Sequence, residues 1–85
     1  MASYSVAVRK SAAKEIAALR RRECQRVVER IRGLATEPRP HGAEKLTHDD
    51  KYRFRQGDYR VLYEIDDDNK RVTIVRVAHR REVYR

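Results

Sequence analysis

Arginine side chains recur at alternate positions along two neighbouring segments, and this spacing would gather them on one surface. Arg53 and Arg55 precede the turn pair Gly57-Asp58, and Arg60 follows it. If that pair forms a two-residue hairpin loop, Arg55 lies directly opposite Arg60, with Arg53 on the same side. A guanidinium stays protonated at any working pH and binds phosphate oxygens with a two-pronged geometry. Because like charges facing each other across strands destabilise a sheet, the cluster indicates a phosphate-binding surface. The alternative is an ordinary solvated arginine face.

The end of the chain adds basic and aromatic side chains that could bind RNA. Arg76 falls on the side of the cluster if the last strand keeps a matching alternation. The residues expected to contact RNA there are Arg76, His79, Arg81 and Arg85, and Tyr84 adds an aromatic ring. Arginine contacts to phosphate and base stacking on tyrosine are typical of proteins that bind single-stranded RNA. Histidine titrates near neutral pH, so His79 is also a candidate acid or base, although a structural or phosphate-contacting role fits it better.

Composition favours an anionic partner and excludes several classes of protein. The 85 residues carry 21 Lys and Arg against 13 Asp and Glu, a formal charge of +8, and 16 of the basic residues are arginine. This length predicts one domain over residues 1–85. No window approaches the roughly 18 apolar residues of a membrane span, and the opening residues lack the apolar region of a secretory signal, so we expect a cytoplasmic protein. The histidines show no metal-ligand spacing, and we expect neither metal nor cofactor. Cys24 stands alone, which fits a reducing compartment, and we expect it to be buried.

The elements that must position the arginines are two helices followed by a hairpin-rich half. The patterns predict a strand at 3–8, helices at 11–19 and 23–36, and strands at 51–55, 59–65 and 71–77. Ser11 is expected to cap the first helix, and Pro38 and Pro40 to follow the second with a loop. The order β-α-α-β-β-β predicts an α+β fold, a mostly antiparallel four-stranded sheet with a helical hairpin on one face.

The first predicted hairpin separates a core face from an arginine face. The expected core face carries Tyr52, Phe54, Tyr59, Val61, Tyr63 and Ile65. The opposite face carries Arg53, Arg55, Arg60, Leu62 and Glu64. Glu64 shares this face, and we interpret it as a salt-bridge partner.

The chain resembles the RelE toxins of bacterial toxin–antitoxin pairs. The resemblance is carried by residues 51–65, KYRFRQGDYRVLYEI, and by residues 75–84, VRVAHRREVY, and the order of elements is similar along the whole chain. These motifs are typical of the RelE/ParE superfamily and do not separate its two branches.

The resemblance implies a type II toxin that is a ribosome-dependent endoribonuclease, cleaving mRNA in the A site and blocking translation. The family's basic positions fall on Arg53, Arg55, Arg60 and Arg80, and its C-terminal tyrosine on Tyr84. The first two are commonly lysine in the best-known members. Because arginine is a poor base, we expect charge stabilisation here rather than a lysine base. A RelB-like antitoxin is the implied partner, with operator DNA bound only through the antitoxin complex.

Two other functions stay open at the level of sequence. One is a ParE-like toxin that inhibits DNA gyrase, and the other is a catalytically inactive member that binds an antitoxin or nucleic acid. The arginine cluster favours the nuclease, because a toxin that binds gyrase through protein contacts needs no phosphate site.

Overall fold

The described residues form one mixed sheet and two helices. A computed structural model describes residues 3–46 and 51–81 of the chain. The elements are β1 (Ser5–Val8), α1 (Lys10–Ala17), α2 (Arg21–Gly33), β2 (Glu44–Lys45), β3 (Lys51–Gln56), β4 (Tyr59–Asp66) and β5 (Arg71–His79). The strand order is β1-β5-β4-β3-β2, and only the β1–β5 pair is parallel. The predicted α+β class and element order are confirmed. The prediction of four strands missed β2, a two-residue strand that extends the sheet to five.

Both helices begin without the side-chain cap that the sequence suggests for the first. Arg9 is the N-cap residue of α1 and Arg20 that of α2, and neither side chain bonds to its helix. Ser11 lies inside the first turn of α1, so the prediction of a Ser11 cap was wrong. The backbone N–H of Arg9 donates to the carbonyl of Ile74 at 3.0 Å, and strand pairing therefore sets where α1 begins. Neither helix is long and apolar enough to span a membrane within the described residues.

The pairing of β3 with β4 confirms the predicted register of the hairpin. Gln56 lies opposite Tyr59, and Arg55 opposite Arg60. The core face holds the buried residues Phe54, Val61, Tyr63 and Ile65, with Tyr52 and Tyr59 partly buried against them. From the helices, the core receives Ala12, Val27, Ile31 and Leu34. Cys24 is only partly buried, short of the full burial expected for it.

A β-bulge in β5 changes which face its residues occupy. Tyr63 lies opposite Ile74, but its neighbour Leu62 lies opposite Arg76, so Val75 is the extra residue. Strict alternation from the buried Ile74 would turn Arg76 toward the core. The bulge instead places Arg76 on the face that carries the arginine cluster.

The loop after α2 is tied to the sheet by a tyrosine and an ion pair. The buried Tyr63 hydroxyl donates to the carbonyl of Pro38 at 2.8 Å. Arg39 donates to both carboxylate oxygens of Asp67, at 3.2 and 2.8 Å, and the Tyr4 hydroxyl donates to the same carboxylate at 2.6 Å. These bonds, with Arg39 as the largest cause, lower the pKa of Asp67 to about 2. The loop is therefore held at the end of the sheet remote from the β3–β4 turn.

Candidate nucleic-acid interface

Three arginines line a shallow depression on the face of the sheet that points away from the core. The depression has a volume of about 230 Å³, and its lining consists of Gly42, Glu44, Arg53, Phe54, Arg55 and Arg60. β3 and β4 position these arginines because their two-residue turn puts residues 55 and 60 at the same height on adjacent strands. Gly57 adopts φ +60°, a conformation that the tight turn requires and that glycine tolerates without strain.

The arginines of the depression differ in how their charge is balanced. Arg53 lies across from Glu44 of β2, and its Nη2 is 3.4 Å from Glu44 Oε2. Arg55 and Arg60 make no side-chain hydrogen bond or ion pair within residues 3–46 and 51–81. Both side chains reach solvent, Arg55 being exposed and Arg60 half-buried. Two opposed guanidinium groups thus share one surface with no ion-pair partner among residues 3–46 and 51–81, and a phosphate would supply one.

The C-terminal end of β5, the strand next to β4, approaches the same region. Arg76 faces the arginine side opposite Leu62 and donates from Nε to Glu15 Oε2 at 3.1 Å. Arg80 follows β5, and its backbone N–H donates to the Asp58 carbonyl at 2.6 Å, which fixes it beside the β3–β4 turn. Its Nε lies 3.6 Å from Asp58 Oδ1, a contact between two well-exposed side chains that contributes little.

His79 lies on the other face of the sheet. It pairs with Tyr59, on the core side, and the two rings meet edge to face with centroids 5.3 Å apart. Its Nδ1 accepts the backbone N–H of Arg81 at 3.2 Å, while the Arg81 side chain is exposed. The expected contacts of Tyr84 and Arg85 with RNA lie outside the described residues.

The structure thus brings Arg53, Arg55 and Arg60 together, aligns Arg76 with them and separates His79 from them. The acidic partners were missed from sequence. The strand that carries Glu44 has only two residues, too few for an alternating sequence pattern. Nothing in the sequence distinguishes Glu15 from an ordinary solvent-exposed helix residue. Glu64 does make an ion pair, with Arg9 at 3.3 Å, as interpreted from its position. Within the described ranges, no group of three or more His, Cys, Asp or Glu residues is placed to hold a metal ion.

Comparison with known proteins agrees with this fold. The model of a family described as the ParE toxin of type II toxin–antitoxin systems matches residues 6–84. A curated relative, toxin RelE of Mycobacterium tuberculosis, is 35% identical over 85 residues, covering 96% of this chain and 87% of its own length. The archaeal RelE–RelB complex of Pyrococcus horikoshii contains a chain with TM-score 0.85 and 32% identity, covering 95% of this chain and 99% of that one. The toxin–antitoxin complex RelBE2 of M. tuberculosis contains a chain with TM-score 0.79 and 34% identity, covering 91% of this chain and 98% of that one.

The sheet, the helical hairpin and the family match define the class as toxins of type II toxin–antitoxin systems. The chain belongs to the ParE toxin family, and the three relatives described above carry RelE names, which confirms the resemblance found in its motifs.

Proposed function

We propose that this toxin is a ribosome-dependent endoribonuclease that cleaves mRNA in the A site and blocks translation. The observation that carries the proposal is the directly opposed pair Arg55 and Arg60, which lack a counter-charge in the described residues. Such a pair weakens the sheet locally because the two guanidinium groups repel each other. A bound phosphate diester would offset this repulsion by attracting both groups. The relative named toxin RelE supports the same branch of the family.

The chemistry that fits this site is cleavage by the RNA's own 2′-hydroxyl. The 2′-oxygen attacks the adjacent phosphorus in line with the 5′-oxygen. One P–O bond forms as the other breaks, the 2′-OH proton is lost and the 5′-oxygen gains one. The products are a 2′,3′-cyclic phosphate and a 5′-hydroxyl. Negative charge grows on the non-bridging oxygens in the transition state, and preorganised guanidinium groups stabilise it there more than in the ground state.

Each basic residue has a distinct part in this mechanism. Arg60 and Arg80 hold the non-bridging oxygens, and Arg53 and Arg55 orient the backbone and ease loss of the 2′-OH proton. Glu44 restrains Arg53 through the ion pair across β2 and β3. Tyr84 stacks on a base or assists proton transfer. Arg76, Arg81 and Arg85 contribute RNA contacts, and a contact from His79 would be made outside the arginine face, because His79 packs against Tyr59 on the other side of the sheet.

The ribosome supplies the alignment of the RNA strand that the depression cannot provide. The depression, about 230 Å³ in volume, is shallow and is lined by only six residues, so it can contact a phosphate group but cannot fix the path of a strand. The ribosome already orders the backbone of an mRNA held in the A site, so the toxin does not have to supply the entropic cost of aligning it. The expected site of action is therefore the cytoplasm.

An antitoxin is the second proposed partner. The relatives from P. horikoshii and M. tuberculosis are described as complexes of RelE with RelB and as a RelBE toxin–antitoxin complex. A chain of charge +8 attracts an acidic, RelB-like segment and steers its association. Operator DNA would be bound through that complex rather than by the toxin alone.

Primer extension on an mRNA from induced cells tests the function. The wild type is expected to produce new 5′ ends at codon positions within the translated region and to stop growth. Arg60→Ala should abolish both effects while the purified variant keeps its circular dichroism spectrum. Arg32→Ala removes an exposed helix arginine with the same change of charge and should behave as wild type. Growth arrest without new 5′ ends would contradict the proposal.

The description of the matching family as ParE favours gyrase inhibition as the second candidate. A supercoiling assay with purified toxin and gyrase separates the two functions. Inhibition of supercoiling that survives in Arg60→Ala, with mRNA intact, would assign the chain to that branch. A protein inert in both assays would be an inactive family member.

A further inference from the structure

β1 pairs with only the first part of β5, and this pairing ends before β5 reaches Arg76. The pairing of β1 with β5 ends at Val8 and Ile74, after which the chain turns into α1. Beyond that point no strand of the described residues pairs with this edge of β5, and α1 contacts the edge through the Glu15 side chain. Glu15 accepts the backbone N–H of Val77 on Oε1 at 2.8 Å and the Nε–H of Arg76 on Oε2 at 3.1 Å. One carboxylate therefore replaces the missing strand and binds two consecutive residues.

Glu15 acts at the β-bulge itself. The extra residue, Val75, immediately precedes the two residues that Glu15 binds. This bulge reverses the alternation of β5, so that Arg76 faces the arginine side and Val77 packs in the core. Bulges beside functional sites commonly re-aim a side chain in this way.

We propose that Glu15 is a positioning residue for the RNA site, a role that rests on the proposed function. By binding Arg76 and Val77 together, Glu15 holds the bulge and fixes where Arg76 stands relative to Arg60. Arg76 lies opposite Leu62, and Arg60 lies opposite Ala78, so the two arginines are diagonal neighbours across adjacent strands, about 7–8 Å apart. The strand beyond the bulge then carries Arg80 to the β3–β4 turn.

A carboxylate is well suited to this position. It offers two oxygens that accept hydrogen bonds at once, one from a backbone N–H and one from a guanidinium, and its charge offsets repulsion between Arg76 and Arg60. The Glu15 side chain is 27% exposed, so this ion pair is only partly screened. An amide in its place would retain one of the two acceptors.

The test measures single-turnover cleavage of mRNA on saturated ribosome complexes, together with affinity for the ribosome. Glu15→Ala is expected to lower the cleavage rate about 10–100-fold, the scale of a small misplacement of reacting groups. Its affinity should stay within about twofold of wild type. Glu15→Gln should recover most of the rate, because the amide oxygen still accepts the N–H of Val77. In the free protein, the Val77 amide should exchange with solvent faster in Glu15→Ala than in wild type.

Two control variants separate positioning from simple stabilisation. Glu29→Ala removes an exposed helix carboxylate and should match wild type. Ile16→Ala weakens the packing of α1 on the core next to Glu15 and should lower the melting temperature while preserving the rate well below it. Equal rates in Glu15→Ala and wild type, or equal losses in Glu15→Ala and Ile16→Ala, would overturn the proposal. If the wild type itself leaves ribosome-bound mRNA intact, the proposed function falls and the role of Glu15 falls with it, a result distinct from failure of Glu15→Ala alone.

Discussion

Replacing Arg55 by threonine should make the fold more stable and the toxin much less active. Arg55 lies directly opposite Arg60 on adjacent strands, and neither has an ionic partner in the described residues. An unfavourable like-charge pair of this kind costs roughly 0.2–1 kcal/mol. Arg55 is exposed, so the substitution loses little packing, and threonine is well suited to a strand. We expect a gain of about 0.5 kcal/mol, which corresponds to roughly 2–4 °C in melting temperature for a domain of this size.

The loss of activity from Arg55→Thr is expected to be far larger than the gain in stability. Removing one preorganised hydrogen-bond donor that stabilises charge in the transition state typically lowers the rate about 10²–10³-fold. Thermal unfolding and single-turnover cleavage on ribosomes measure the two effects. Higher salt should shrink the gain in stability, because it screens the repulsion that the variant removes.

Arg71→Thr is the matched control for Arg55→Thr. Arg71 is an exposed strand arginine that faces Asp66 rather than another cation. Its removal deletes a favourable pair, so it should bring no stabilisation and leave cleavage near wild type. A destabilised Arg55→Thr, or one with undiminished cleavage, would refute the link between the strained pair and the activity.

Four further outcomes are expected. Phe54→Ala should cost about 3–5 kcal/mol in denaturant unfolding, because the ring is buried, and a negligible shift would contradict its place in the core. Burial raises the pKa of Tyr63 to about 12, so the unfolded chain loses that proton first, and urea unfolding should show stability complete below pH 10 and falling toward pH 12. Arg20→Asp should add about 1 kcal/mol by supplying α2 with an N-cap side chain and an acidic group at its positive end; an unchanged melting temperature would count against this. Cleavage rates on saturated ribosomes should be flat from about pH 6 to 8, whereas an inflection near neutral pH that vanishes in His79→Gln would move acid–base chemistry onto that residue.

The β3–β4 hairpin could be predicted in detail because its signals are local. A glycine-containing pair between two alternating segments fixes the loop length, and loop length fixes the register. The pairing of Arg55 with Arg60 and the burial of Phe54 follow directly from that register, and the structure confirms both. The arginine cluster could therefore be recognised from sequence as a surface of like charge.

Contacts between distant segments could not be predicted in this way. Glu15 meets Arg76 across 61 positions, and the contact depends on where β1 ends and α1 begins. The bulge does leave a trace, since apolar residues occupy 72 and 74 and then 75 and 77, a change of alternation visible in the sequence. The start of α1 was misplaced because strand pairing by Arg9, rather than a serine cap, determines it.

Single-turnover cleavage of a defined mRNA by the purified toxin, with and without ribosomes, tests the central claim most directly. Wild type should cleave ribosome-bound mRNA at an A-site codon, leave free mRNA nearly intact and yield 2′,3′-cyclic phosphate ends. Arg60→Ala should bind the same ribosomes and cleave about 10²–10³-fold more slowly. Intact mRNA on saturated wild-type complexes, or equal cleavage by wild type and Arg60→Ala, would contradict the assignment of RNA cleavage to this arginine site.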